Sequence, residues 1–121
     1  MFSETLLDHF QRPRNAGELP GADAMVEVSN PVCGDVLRLA AKIVDGRIGE
    51  VRFLCRGCTT AIACGSMLTE KMQGAEWRSL RGITAEDLAE ALGGLPEASY
   101  HGAQLAEDAL RGLAAELGKV E

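Results

Sequence analysis

Halfway along the chain the hydrophobic repeat changes period, and this switch constrains the fold more than any other feature. From Val36 to Val44 apolar and polar residues alternate, with Leu37, Leu39, Ala41 and Ile43 on one face and Arg38 and Lys42 on the other. A period of two is that of a half-buried strand. Asp45-Gly46 follows, a pair suited to a type I′ hairpin because both central residues there need positive φ. The next strand is predicted from about Arg47 to Leu54, with Val51 and Phe53 opposite Arg52, and a short strand over 25–29 precedes both. The middle of the chain thus reads as a three-stranded antiparallel meander. Over 59–73 the period becomes helical: Ala61, Cys64, Gly65, Leu68 and Met72 share one stripe. Thr84 with Asp87 resembles a capping box using the shorter acid, opening a helix that Gly93-Gly94 ends. A last helix is predicted over about 103–117, with Leu105, Ala106, Ala109, Leu110, Leu113 and Leu117 inward. A short helix over 3–11, capped by Ser3 and stopped by Pro13, opens the chain, and a Pro- and Gly-rich loop follows over 13–23. Strands early and helices late predict an α+β domain, a three-stranded antiparallel sheet with helices packed on one face.

Length and charge narrow the function. The 121 residues predict a single domain over 1–121. A net charge of −6 leaves no basic patch of the kind that phosphate contacts require, so no nucleic-acid partner is expected. No apolar run approaches the roughly 20 residues that span a bilayer, so no membrane partner is expected. The N-terminus has an early acid and no apolar core of a signal peptide. Four cysteines without such a signal point to a reducing compartment, with cytoplasm as the expected location.

The residues that carry chemistry fall at element ends. Cys33 and Asp35 lie in PVCGD, in the turn between the first two strands, and Gly34 permits a tight bend there. Cys58 follows Gly57 where a strand hands over to a helix, and His101 lies just before the last predicted helix. A scaffold presents ligands from such positions. At a helix N-terminus the dipole is expected to lower the pKa of Cys58. Thiolate and imidazole suit Zn²⁺ and iron–sulfur clusters. The spacing differs from that of a zinc finger, so each residue also has a plainer reading. Asp35 serves equally well to close a turn, and a lone histidine is more often a surface or hydrogen-bonded side chain. Cys64, on its helix's apolar stripe, and Cys55, on the face of Val51 and Phe53, read as core residues, and His9 receives no role. Cys55 and Cys58 also form a C-x-x-C, but the thioredoxin-like βαβ context is missing and redox chemistry is the lesser alternative.

DHFQRPRNAG, NPVCGD at 30–35, RGCTTAIACGSMLTE at 56–70 and HGAQLAEDAL at 101–110 together resemble the U-type iron–sulfur cluster scaffold family: IscU, SufU and the N-terminal domain of NifU. The resemblance covers nearly the whole chain and implies an IscU/SufE-like fold. It implies a platform on which a cluster, [2Fe-2S] in type, is built and passed to acceptor apo-proteins, acting by binding rather than turnover. The implied sulfur source is a pyridoxal-phosphate-dependent cysteine desulfurase. By motif, Cys33, Asp35, Cys58 and His101 match the family's ligand positions, with Asp35 the acid associated with cluster lability.

The chain departs from the family pattern at Gly102, where a third cysteine is the rule. The resemblance then leaves Cys33, Asp35, Cys58 and His101 as the full ligand set, or Cys55 or Cys64 as a substitute. A divergent homologue holding Zn²⁺ and a metal-free desulfurase-binding accessory are the alternatives. LPEAS at 95–99 lacks the second proline and the lysine of the chaperone-read LPPVK segment, so no such chaperone is expected, and the long SufU-type insertion is missing. The expected state is a monomer or weak dimer.

Overall fold

The computed structural model describes residues 2–32 and 34–121. The elements run in the order α1 (Glu4–Gln11), β1 (Ala24–Ser29), β2 (Val36–Val44), β3 (Arg47–Arg56), α2 (Thr59–Met72), a 3-10 turn (Trp77–Gly82), α3 (Ala85–Ala91), a second 3-10 turn (Glu97–Ser99) and α4 (His101–Val120). The strands form one antiparallel sheet in the order β1-β2-β3, with Val26 opposite Leu39 and Leu39 opposite Phe53. The predicted I′ hairpin is present, with Asp45 at φ 53° and Gly46 at φ 78°.

The alternation read from the sequence sorts the two faces. Leu37, Leu39, Ala41, Val51 and Phe53 are buried under the helices, whereas Arg38 and Leu54 face outward. Each of the fully buried leucines contributes roughly 1.5–3 kcal/mol through removal from water. Helix α2 lies against β3, α4 crosses β1 and β2, and α1 rests on α2. The seat of α2 is unusually close: a Cβ on Gly65 would stand 2.8 Å from Phe53 Cδ2.

The elements depart from the sequence reading in several places. Strand β3 continues to Arg56, still paired with Val36. The turn Trp77–Gly82 was not anticipated, because a single turn burying only Leu80 carries no periodic signal. Helix α4 extends beyond both ends of the predicted 103–117, with Gly102 helical and packed.

Candidate metal centre

The register of β2 and β3 builds the site. Val36 pairs with Arg56 at the end of the sheet, so the residues just outside that pair, Asp35 and Gly57-Cys58, emerge side by side. The turn before β2 is held by the Asn30 N–H donating to the Asp35 carbonyl at 2.8 Å and the Val32 N–H donating to Asn30 Oδ1 at 2.9 Å. Gly34 sits at φ 78°, a conformation glycine adopts without steric cost. Asp35 is left with 6% exposure. Its carboxyl fits there because Gly57 has no side chain: a Cβ on Gly57 would stand 2.7 Å from Asp35 Cγ. That steric gap is a functional feature missed in the sequence, whose only signal is the glycine immediately before Cys58.

Cys58 is the N-cap of α2, and its Sγ accepts from the Ala61 N–H at 3.4 Å. The thiol donates to Asp35 Oδ2 at 3.4 Å and touches His101 Nε2 at 3.6 Å. His101 Nε2 lies 3.7 Å from Asp35 Oδ2. One sulfur, one carboxylate oxygen and one imidazole nitrogen therefore form a nearly equilateral triangle, brought together from three separate elements. Bonds of about 2.3 Å to sulfur and about 2.0–2.2 Å to nitrogen and oxygen imply edges of roughly 3.3–3.6 Å around one tetrahedral ion. The observed edges match the face of such a tetrahedron. Side-chain exposure of 33% at His101 leaves the triangle open to solvent.

Of the predicted site residues, Asp35, Cys58 and His101 are brought together, and Cys33 lies outside the described residues. The expected acidification of Cys58 is corrected. Burial pushes its pKa above the ordinary thiol value, the Asp35 carboxylate adds to the rise, and the N–H groups of Ala61 and Thr60 only partly oppose it. A thiol held neutral becomes a thiolate ligand only by losing its proton to the incoming metal's field. His101 is the first residue of α4, not a residue before it.

Neither candidate substitute for the missing third cysteine joins the triangle. Cys64 is fully buried in the core and Cys55 is half-buried. Burial pushes both thiols up to about 12. Gly102 itself is packed shut: a Cβ there would stand 2.9 Å from the Ala61 nitrogen and 2.9 Å from Thr60 Cγ2. Helix α4 uses that absence to close on the first turn of α2, which carries Cys58. Cys55 and Cys58 follow an antiparallel strand, so the context of a thioredoxin-like redox turn is absent.

A three-stranded meander backed by helices, with carboxylate, thiol and imidazole converging at the sheet's end, defines a small α+β protein of the metal-scaffold kind. The chain belongs to the family described as the NifU-like N terminal domain, which matches residues 1–118. It is 46% identical over 111 residues to the iron-sulfur cluster assembly scaffold protein IscU 1 of Archaeoglobus fulgidus, covering 92% of this chain and 72% of that protein. It is 39% identical over 119 residues to the iron-sulfur cluster assembly scaffold protein IscU of Escherichia coli, covering 95% of this chain and 92% of that one. A solved NifU-like N-terminal protein from Brucella abortus shares the fold, with a TM-score of 0.77 at 18% identity, over 97% of this chain and 94% of the other. No helix is long and apolar enough to cross a membrane among the described residues.

Proposed function

We propose that this chain is an iron–sulfur cluster assembly scaffold, acting as one domain over residues 1–121 by binding rather than by turnover. Asp35, Cys58 and His101 supply three ligands and Cys33 supplies the fourth. The single observation that carries the proposal is the triangle of 3.4, 3.6 and 3.7 Å among Cys58, Asp35 and His101. Its donor set mixes soft sulfur, borderline nitrogen and hard oxygen, which suits a cargo held firmly enough to build and loosely enough to release. The cargo is a cluster of the [2Fe-2S] class. Sulfur comes from a cysteine desulfurase, acceptor apo-proteins take the product, and the cytoplasm is the place of work.

A second reading rests on Gly102. With that position closed by the Ala61 backbone, the triangle fits one divalent ion as well as it begins a two-iron cluster. In this reading the site holds zinc as a structural or regulatory ion.

Anaerobic reconstitution of metal-stripped protein separates the two. Iron and acid-labile sulfide near equal stoichiometry, lost in Cys58→Ala, are expected for the scaffold. One zinc per chain in the purified protein, with no stable iron–sulfide, replaces the first reading with the second.

A further inference from the structure

At the far end of α4 from His101, a groove of about 440 Å³ opens between the turn Trp77–Gly82 and the last turns of the helix. Seventeen residues at 1.5 Å each set it about 25 Å along the helix from the metal centre. Trp77 and Ala114, Ala115 and Gly118 form its walls and floor, and Arg78, Arg81 and Lys119 complete the lining. The lining thus holds three cations and no acid, in a chain whose net charge is −6. Lys119 pairs with Glu116 at 3.2 Å, but among the described residues Arg78 and Arg81 pair with no carboxylate, although both are exposed.

The turn that forms one wall of the groove is anchored to the body of the fold. Leu80 is fully buried beneath the turn, and the Trp77 N–H donates to the Gly46 carbonyl of the β2–β3 hairpin at 3.0 Å. The small side chains of α4 create the space: a Cβ on Gly118 would meet nothing within 4 Å. The Arg78 guanidinium lies 4.8 Å from the centroid of the Trp77 ring, so one ring face is already taken.

We propose that this groove docks an acidic segment of a protein partner, its carboxylates meeting Arg78 and Arg81 and one apolar side chain lying between Trp77 and Gly118. Charge complementarity selects the occupant. A nucleic acid is disfavoured, because Arg78 covers a stacking face of Trp77 and a long polyanion is repelled by the rest of the molecule. A short acidic segment feels mainly the local cations, since screening limits the field to about 8 Å at physiological salt. The distance from the triangle lets such a segment and a metal cargo be held at once.

Trp77 is the only tryptophan of the chain, so its emission reports on the groove directly. The probe is a blocked octapeptide of Asp and Glu with one central Leu, titrated into the full chain alongside its Asn/Gln counterpart and inorganic phosphate. Expected is a saturable emission shift with the acidic peptide alone, weakened on the order of tenfold at 0.5 M salt. Arg78→Glu with Arg81→Glu should abolish the shift. Gly118→Leu should do the same, because it fills the groove and leaves every charge in place. Circular dichroism and zinc uptake at the distant triangle should stay as in the parent for both variants, which separates this outcome from any failure of the scaffold reading. No shift with the acidic peptide, an equal shift with the neutral peptide or with phosphate, or unchanged binding in Gly118→Leu would each overturn the proposal.

Discussion

The chain's two histidines each lie beside a carboxylate and a side-chain chalcogen, and the difference between them separates a closed structural network from an open donor set. His9 is 4% exposed. Its Nδ1 is 2.7 Å from Ser66 Oγ and its Nε2 is 3.3 Å from Glu70 Oε1, so both ring nitrogens are satisfied. Ser66 Oγ also accepts the Arg14 N–H at 2.9 Å, and Arg14 in turn pairs with Asp8. This network ties α1 and the loop after it to α2, and nothing in it is open to a ligand. His101 meets a softer and looser set: contacts of 3.6 and 3.7 Å to Cys58 and Asp35, at the surface. The 3.7 Å separation from Asp35 is long for a hydrogen bond, and both separations suit atoms sharing one ion. A complete hydrogen-bond network stabilises the fold, whereas a loose triangle leaves its donors available for a metal.

Exchanging the consequences of the two histidines is the most direct way to break this comparison. His101→Ala should weaken metal binding by at least about a hundredfold in chelator competition, since loss of an outer partner alone costs 10–100-fold. The melting temperature of its apo form should move little, as for an exposed substitution. His9→Ala should do the reverse. It leaves Glu70 and Ser66 without their partner and opens a cavity, at a cost of about 2–4 kcal/mol. That cost should read as a fall in apo Tm of roughly 10 °C, with metal affinity in the surviving folded protein unchanged. If His9→Ala strips the metal as completely as His101→Ala does, the division between the two sites is wrong.

Smaller effects sharpen the picture. Gly102→Cys should destabilise the chain by about 1–3 kcal/mol, because its Cβ is forced against the Ala61 backbone. It should add no ligand, so metal stoichiometry per chain stays as in the parent; a gain in bound iron would show that α4 yields more readily than its packing implies. The smallest effect is in pH. Burial, aided by Arg14, holds the pKa of His9 below its ordinary value of 6.5, while Glu70 and Asp8 only partly offset this. The unfolded chain therefore takes up a proton first as the pH falls. The stability that neutral His9 contributes is full above about pH 6.5 and is lost as the pH drops toward its folded-state value. Apo Tm should fall more steeply as the pH drops below 6.5 in the parent than in His9→Gln.

Much of the fold was legible because the alternation holds through the first half of β2, although Ala40 is also buried and a register shift follows at Lys42/Ile43. Leu37, Leu39 and Ala41 against Arg38, followed by Asp45-Gly46, fix the strand pair and its turn with little freedom. The ends of helices were less legible, since Gly102 becomes a packing surface only once α2 lies against it. The donors could be picked out by type and position at element ends. Their convergence was implied only by the family resemblance and not by the residues themselves, because it depends on the Val36–Arg56 register and on the gap at Gly57. The raised pKa of Cys58 also escaped the sequence: the helix terminus was visible there, but the burial and the carboxylate that outweigh it were not.

The packing at Gly102 has a consequence for how such a chain can change. Where a glycine lets two helices draw together, a larger side chain has no seat. Admitting one requires the helices to part first, so a single substitution at this position draws its neighbours on α2 into the change.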